Sequence, residues 1–388
     1  MSYYFSAKEQ GCNRVIQGER TQVNFKKKQE MYKLFITLFS AFTLVLLRPA
    51  AAKEVSQDNV ERAEYSLQII KEYSVTSPDR AQDELYISSD LRKFLPRKKQ
   101  IDWLIQSAVV ANRLNDFSLS ESTLTALYYS FMSELTAKER GLFFYFLGHV
   151  NLKRGDNDTA IKIYNCALKS YTKENFALRA MFSIANALIA KGDYELSEAV
   201  MRLLLAEVNR QKIDKWKAAP TNVLGIFALH RKNYGEAESY FRQAMDLHQK
   251  NRNKAGEYNA SLNLLLVFAL TSNFEMFERL KDRLARTGEQ LLDQDRVAYF
   301  SVIKYLEKFN KNKGLNESDM AAMLSDIDSI KSMIVKTAVS SFIAPEINLN
   351  LVKEKTQITT LDWVKEIQEK ESCTDDKLDF SFMSVEIE

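Results

Sequence analysis

Residues 148–168 read GHVNLKRGDNDTAIKIYNCAL, and their internal spacing decides the fold. Gly148 is followed at +12 by Ala160, at +16 by Tyr164 and at +19 by Ala167. Two further stretches keep that rhythm: Ala185 with Ser197, Met201 and Leu204, and, in GIFALHRKNYGEAESYFRQAM at 225–245, Gly225 with Ala237, Phe241 and Ala244. Small residues at such offsets let two helices approach, and the large apolar residue fills the gap between them. A fixed spacing of this kind repeated along a chain is the signature of stacked helix pairs.

Between the two halves of each stretch stands a short turn: Gly155-Asp156-Asn157, Gly192-Asp193-Tyr194 and Lys232-Asn233-Tyr234. Small residue, Gly-Asp-aromatic-type turn, then Ala and an aromatic: the pattern resembles the tetratricopeptide repeat. Weaker copies flank the three, at Ala108 with Asn115-Asp116-Phe117 and Ser120, and at Leu265 with Asn273-Phe274 and Phe277. The small-residue anchors at 108, 148, 185, 225 and 265 stand 40, 37, 40 and 40 apart, against about 34 for the family's usual unit. Helices or connections are therefore longer here, and the family's Trp and unit-ending Pro are absent. The resemblance covers roughly residues 98–285 and implies an all-α, right-handed superhelical solenoid of antiparallel helix pairs.

Composition agrees with that reading. Gly (11) and Pro (5) are scarce for 388 residues, which favours long helices over a many-stranded β fold. Eight of the Lys/Arg and three of the Asp/Glu fall in residues 1–52, so that segment carries +5 and the remaining chain −2. A near-neutral body with interspersed charges gives no electrostatic case for nucleic acid as a partner.

Residues 31–53 have a basic start, an apolar run at 34–47 (LFITLFSAFTLVLL), and Ala50 and Ala52 in A-x-A spacing. This is the pattern of a secretory signal peptide cleaved after Ala52. Fourteen residues are short of the ~20 needed to span a bilayer, so cleavage is favoured over an inner-membrane anchor facing the periplasm. Residues 1–30, ending in Lys26-Lys27-Lys28, are either an extended basic region or precede a true start at Met31. Export to the periplasm or outside is expected either way, and membrane contact only through an uncleaved leader. Cys12 lies in the part that would be lost. Cys166 and Cys373 are too far apart in sequence to read as a disulfide framework, although an oxidising compartment would permit a bridge. Cys166, beside Ala167, reads as a small packing residue.

The flanks are read on periodicity. Residues 53–97 form N-terminal helices, 286–343 a helical cap, and 344–388 a final capping helix at Leu361–Lys370 with Trp363 packed down, followed by an acidic tail. There Leu378, Phe380 and Phe382 alternate, as a pairing strand or a frayed end would.

No catalytic arrangement emerges. His149, His230 and His248 are the three histidines and none has a partner at i+4; no HExxH, CxxC, GxSxG, phosphate-cradling loop or GxGxxG occurs. The expectation is a non-enzymatic adaptor with neither cofactor nor metal. The tetratricopeptide resemblance implies that first-helix residues at set offsets from each anchor line the concave groove: Asn112 and Arg113; Tyr145, His149 and Lys153; Arg179, Phe182 and Asn186; Asn222 and His230; and Asn259. Amides, bases and two aromatics suit a peptide's backbone with an acidic or aromatic side chain. Two functions fit: an exported scaffold holding a protein or peptide partner in the cell envelope, and a cytoplasmic or membrane-tethered peptide-sensing regulator.

Overall fold

In the computed structural model, which describes residues 57–173, 175–291, 293–351, 360–371, 373, 378 and 380, helix follows helix with little between. The leader at 34–47, the cleavage point after Ala52 and Phe382 lie outside the described residues. Helix α1 covers 57–76 and α2 Pro78–Ile87. The pairs of the repeat array follow: α3 Arg97–Leu114 with α4 Phe117–Phe131; α5 Ala137–Arg154 with α6 Asn157–Ser170; α7 Phe176–Lys191 with α8 Tyr194–Arg210; α9 Ala218–His230 with α10 Tyr234–Lys250; α11 Lys254–Leu270 with α12 Phe274–Leu291. Helices α13 (Gln294–Asn312) and α14 (Glu317–Ser329) add a sixth pair beyond the five anchors. Then come α15 (Met333–Ala338) and α16 (Asp362–Lys370). The described residues contain no strand.

The turns inside the pairs share one two-residue construction. The first residue takes a left-handed backbone: Asn115 (φ 54°), Gly155 (82°), Gly192 (93°), Lys232 (59°) and Ser272 (55°). The second caps the next helix, with Asp116, Asp156, Asp193, Asn233 and Asn273 accepting from the N–H three residues on. Such a cap is worth ~1 kcal/mol, and one αL residue suffices to end a helix. This is the physical content of the Gly-Asp turn, and it explains why Asn115-Asp116 and Ser272-Asn273 serve as well: Asn tolerates αL, and Ser272 accepts a modest strain.

Packing within each pair follows the anchor. A Cβ placed on Gly148 would lie 2.5 Å from the Tyr164 ring, and one on Gly225 would lie 2.5 Å from the Phe241 ring. Where the anchor is Ala, the residue at +16 is aliphatic: Leu124 beside Ala108 and Met201 beside Ala185, all buried. Ring and missing methyl group thus trade volume inside one chain. In the unit of Ala185 a second link is polar, because the buried Ser197 hydroxyl donates to the Ala185 carbonyl at 2.7 Å.

Among the described residues three apolar clusters result. One runs from α3 to the middle of α9 (through Phe227), the next from Ala228 to Ile347, and the third joins α1 and α2 to the outer side of α3 through Leu67, Ile70, Leu85 and Trp103. Successive first helices touch, α3 with α5, α5 with α7, α9 with α11 and α11 with α13, more closely than successive second helices do. The first helices therefore form the inside of the curve. Helix α15 lies against both α13 and α7, so it crosses that inner side.

The C-terminal region corrects two expectations. Helix α16 does form, and Trp363 packs down, but it does not cap the end of the array. It returns to the first units, where Val364 and Ile367 are fully buried in the α3–α9 cluster. Cys166, expected as a mere packing residue, is disulfide-bonded to Cys373, 207 residues later. Their Cα atoms stand 5.6 Å apart, inside the range a bridge requires. Sequence distance misled because a curved solenoid brings a returning tail back beside an early helix.

Candidate functional site

The groove set divides by depth. On α5, Tyr145 is 7% exposed, covered by Phe176 (ring centroids 5.8 Å apart) and His149 (4.6 Å). It is floor more than contact surface. Above it the Arg179 guanidinium stands 6.0 Å from the Tyr145 ring centroid, and the Arg179 side chain is exposed. Lys153 is exposed at the end of α5; Phe182 and Asn186 are half-buried on α7. Asn112 is half-buried and Arg113 exposed near the end of α3.

Titration follows from this burial. Desolvation, with Lys153 and Arg179 adding repulsion, pushes the His149 imidazolium down to about 4, so the ring is neutral at pH 7. Its Nε2 is covered and has no hydrogen-bond partner. Burial likewise raises the Tyr145 phenol, against the opposing pull of Ser183 and Arg179, and raises Tyr164 further. The Ser183 hydroxyl is near enough to moderate both phenols, yet no well-formed hydrogen bond reaches the Tyr164 hydroxyl. The floor of the α5–α7 region is thus a polar cluster with unspent hydrogen-bonding capacity beneath a cationic rim.

Further along, Asn222 on α9 accepts from Asn263 on α11 at 3.1 Å, so two successive first helices are joined by side-chain amides. Asn259, one turn before Asn263, is half-buried. His230 is brought elsewhere: its ring stacks on Tyr194 at 4.0 Å, where the end of α9 meets the start of α8, at the turn edge of the array. The predicted residues of α5 and α7 are therefore one neighbourhood, those of α9 and α11 a second, and His230 belongs to neither.

Sequence reasoning missed Ser183, Asn263 and the path of α15, whose residues fall within the expected helical cap at 286–343 but lie against α7 as well as α13. Ser183 and Asn263 both stand two residues before their anchors, Ala185 and Leu265, a position outside the offsets used; a polar residue recurring there was the available signal. Helix α15 carried no signal of its own, being six residues long. Lys232, in the α9–α10 turn, approaches Glu346 at 3.8 Å as the chain leaves α15 and the helical turn after it. Among the described residues there is no group of three or more His, Cys, Asp or Glu that could hold a metal, and no helix long and apolar enough to cross a membrane.

No protein-family model matches the chain, and no curated protein sequence does. Solved structures do. Aspartyl phosphate phosphatase F from Bacillus subtilis is similar over 80% of this chain and 78% of its own, with 11% identity and a TM-score of 0.53. The apo form of RapI is similar over 59% of this chain and 82% of its own (15% identity, TM-score 0.49), and a Rap protein complexed with competence and sporulation factor over 74% and 91% (14% identity, TM-score 0.44). At such identities the likeness concerns fold: the chain is a tetratricopeptide-like solenoid of helix pairs.

Proposed function

We propose that the chain is a non-enzymatic scaffold that holds a protein or peptide partner on the inner face of the solenoid, and that it does so in the periplasm or cell envelope. The observation that carries the binding reading is the α5–α7 region: Arg179 and Lys153 exposed above the buried Tyr145 and Tyr164 and the half-buried His149, with Phe182 and Asn186 alongside. A cationic rim, an aromatic and an amide over a rigid floor suit an extended segment with an acidic side chain: the bases attract the charge, and the amide pairs with the segment's backbone. The fold supplies a concave surface on which such a segment can lie.

Two features support export: the signal-peptide pattern at 31–52 and the pairing of Cys166 with Cys373, since stable disulfides belong to oxidising compartments. The test has two arms. Capture from envelope extract with residues 53–388 is compared with an Arg179→Ala, Phe182→Ala, Asn186→Ala variant of unchanged helicity. Retention of the same partner by the variant would reject the groove. Fractionation that found the protein in the cytosol with residues 34–47 intact would reject export and leave the groove reading as a cytoplasmic peptide-sensing regulator.

A further inference from the structure

The first helix pair carries a second surface, away from the inner face. Helix α1 holds to α3 through a buried stripe, Ala63, Leu67 and Ile70, and through two ion pairs, Glu64 with Lys99 and Lys71 with Asp102. Between another side of α1 and α2 runs a groove of about 420 Å³. Helix α1 lines it at Tyr65, Ile69 and Glu72, and α2 lines it at Arg80, Glu84 and Ile87. Residues three or four apart share one side of a helix, so the groove follows both helix axes.

A terminal unit of a solenoid ordinarily presents a polar outer face. Here Ile87 is 82% exposed and Tyr65 67%, the two most exposed large apolar side chains among the described residues. Tyr86 and Val75 of the same helix pair are exposed as well. Clustered apolar exposure of this kind marks an interaction surface, and charge decides what fits it. Glu72, Asp83 and Glu84 line the groove, and none of the three pairs with a base among the described residues. The base in the lining, Arg80, stands 4.2 Å over the Tyr73 ring centroid. A second copy offering the same face would set carboxylates against carboxylates, and an anionic lipid surface would be repelled too. Every later pair of the array is stacked on by its neighbours, so the shape that continues the stack here is a helix.

We propose that the α1–α2 groove is a docking site for a basic amphipathic helix of a partner protein. Its apolar side chains lie on Ile69 between Tyr65 and Ile87, and its Lys or Arg side chains meet Glu72, Asp83 and Glu84. The helix stands where a preceding unit of the array would stand, and apolar anchors at i, i+3, i+4 and i+7 match the run of the groove. Covering Tyr65 and Ile87 supplies affinity, and the carboxylates set the sign of charge that the groove accepts. The site is independent of the inner-face segment proposed above: α1 and α2 pack on the outer side of α3, whereas Arg179, Phe182 and Asn186 stand on α7.

The test titrates the full chain and residues 53–388 with two labelled model peptides of about four helical turns. Both carry a Leu stripe at i, i+3, i+4 and i+7, and they differ in having Lys or Glu on the flanks. The Lys peptide is expected to bind roughly tenfold more tightly than the Glu peptide, the gain from three exposed charge pairings, and the difference should shrink with added salt. Glu72→Lys with Asp83→Lys should reverse the preference, and Tyr65→Ala with Ile87→Ala should abolish binding of both peptides. All four side chains are exposed, so helicity and melting should stay unchanged. An Arg179→Ala protein should bind the Lys peptide as the unaltered protein does. Equal binding of the two peptides, or binding that survives the loss of Tyr65 and Ile87, would overturn the proposal. So would binding by residues 53–388 that the full chain lacks, which gives the groove to the chain's own leader, or a dimer that Tyr65→Ala dissolves, which gives it to a second copy.

Discussion

The pairing of missing methyl groups with rings can be tested by restoring one methyl group. Replacing Gly148 by Ala in the interior of α5 favours the helix by about 1 kcal/mol on intrinsic propensity alone. Against it stands contact: the new Cβ would lie 2.5, 2.6 and 2.9 Å from three ring atoms of Tyr164. That ring is fully buried, with Tyr145 and His149 against it at 5.9 and 5.5 Å between centroids. It has nowhere to swing, so the overpacking cost belongs at about 3 kcal/mol, the upper end of its range. The net expectation is a loss of roughly 2 kcal/mol. Urea unfolding followed by circular dichroism should show a lower midpoint at unchanged slope. Adding Tyr164→Leu, which reproduces the Ala108–Leu124 arrangement, should restore part of the loss, and the double-mutant coupling should exceed ~1 kcal/mol. Gly235→Ala is the control, since a Cβ there meets nothing within 4 Å. If Gly148→Ala raises the midpoint as the control does, the volume-exchange argument is wrong.

Ser272→Gly, which relieves a left-handed backbone at φ 55°, should stabilise by about 1 kcal/mol, readable as a higher melting temperature. Acidification should cost stability through His149: its folded pKa, about 4, lies below the unfolded value of 6.5, so the unfolded chain binds the extra proton first. Its contribution is intact above pH ~6.5 and falls away towards pH ~4, by roughly 3 kcal/mol in total. Burial depresses His248 in the same direction, so the comparison is with His149→Gln, whose profile should be flatter; a matching profile would refute the assignment. Reduction of Cys166–Cys373 should lower stability by at most ~5 kcal/mol, the chain-entropy ceiling for a loop of 207 residues, with amide exchange rising in α4–α6 and not in α11–α13.

Much of the fold was legible because its determinants are local. An anchor and its partner at +12 or +16 sit on adjacent helices joined by a two-residue turn, so the contact is written within twenty residues. The sixth pair, α13 with α14, gave weaker signs, lacking the small-residue anchor. Of the groove residues, Arg179, Phe182 and Asn186 stand on α7 with exposed or half-buried side chains, whereas Tyr145 is buried under Phe176. His230 stands at the last residue of α9, where the offset points past the groove towards Tyr194. The return of α15 and α16 was not legible. Long-range seats depend on the curvature of the whole array, and no local spacing encodes that curvature.

The bond between α6 and the tail also orders events in time. Cys166 leaves the ribosome 207 residues ahead of Cys373, a wait of about 10–40 s at ordinary synthesis rates. Every chain cut short in that interval keeps Cys166 without its partner, whereas a backbone cut made after the bond has formed leaves the tail attached through sulfur. The sulfur pair therefore distinguishes finished chains from unfinished ones, and a thiol-reactive label on Cys166 would count the unfinished ones.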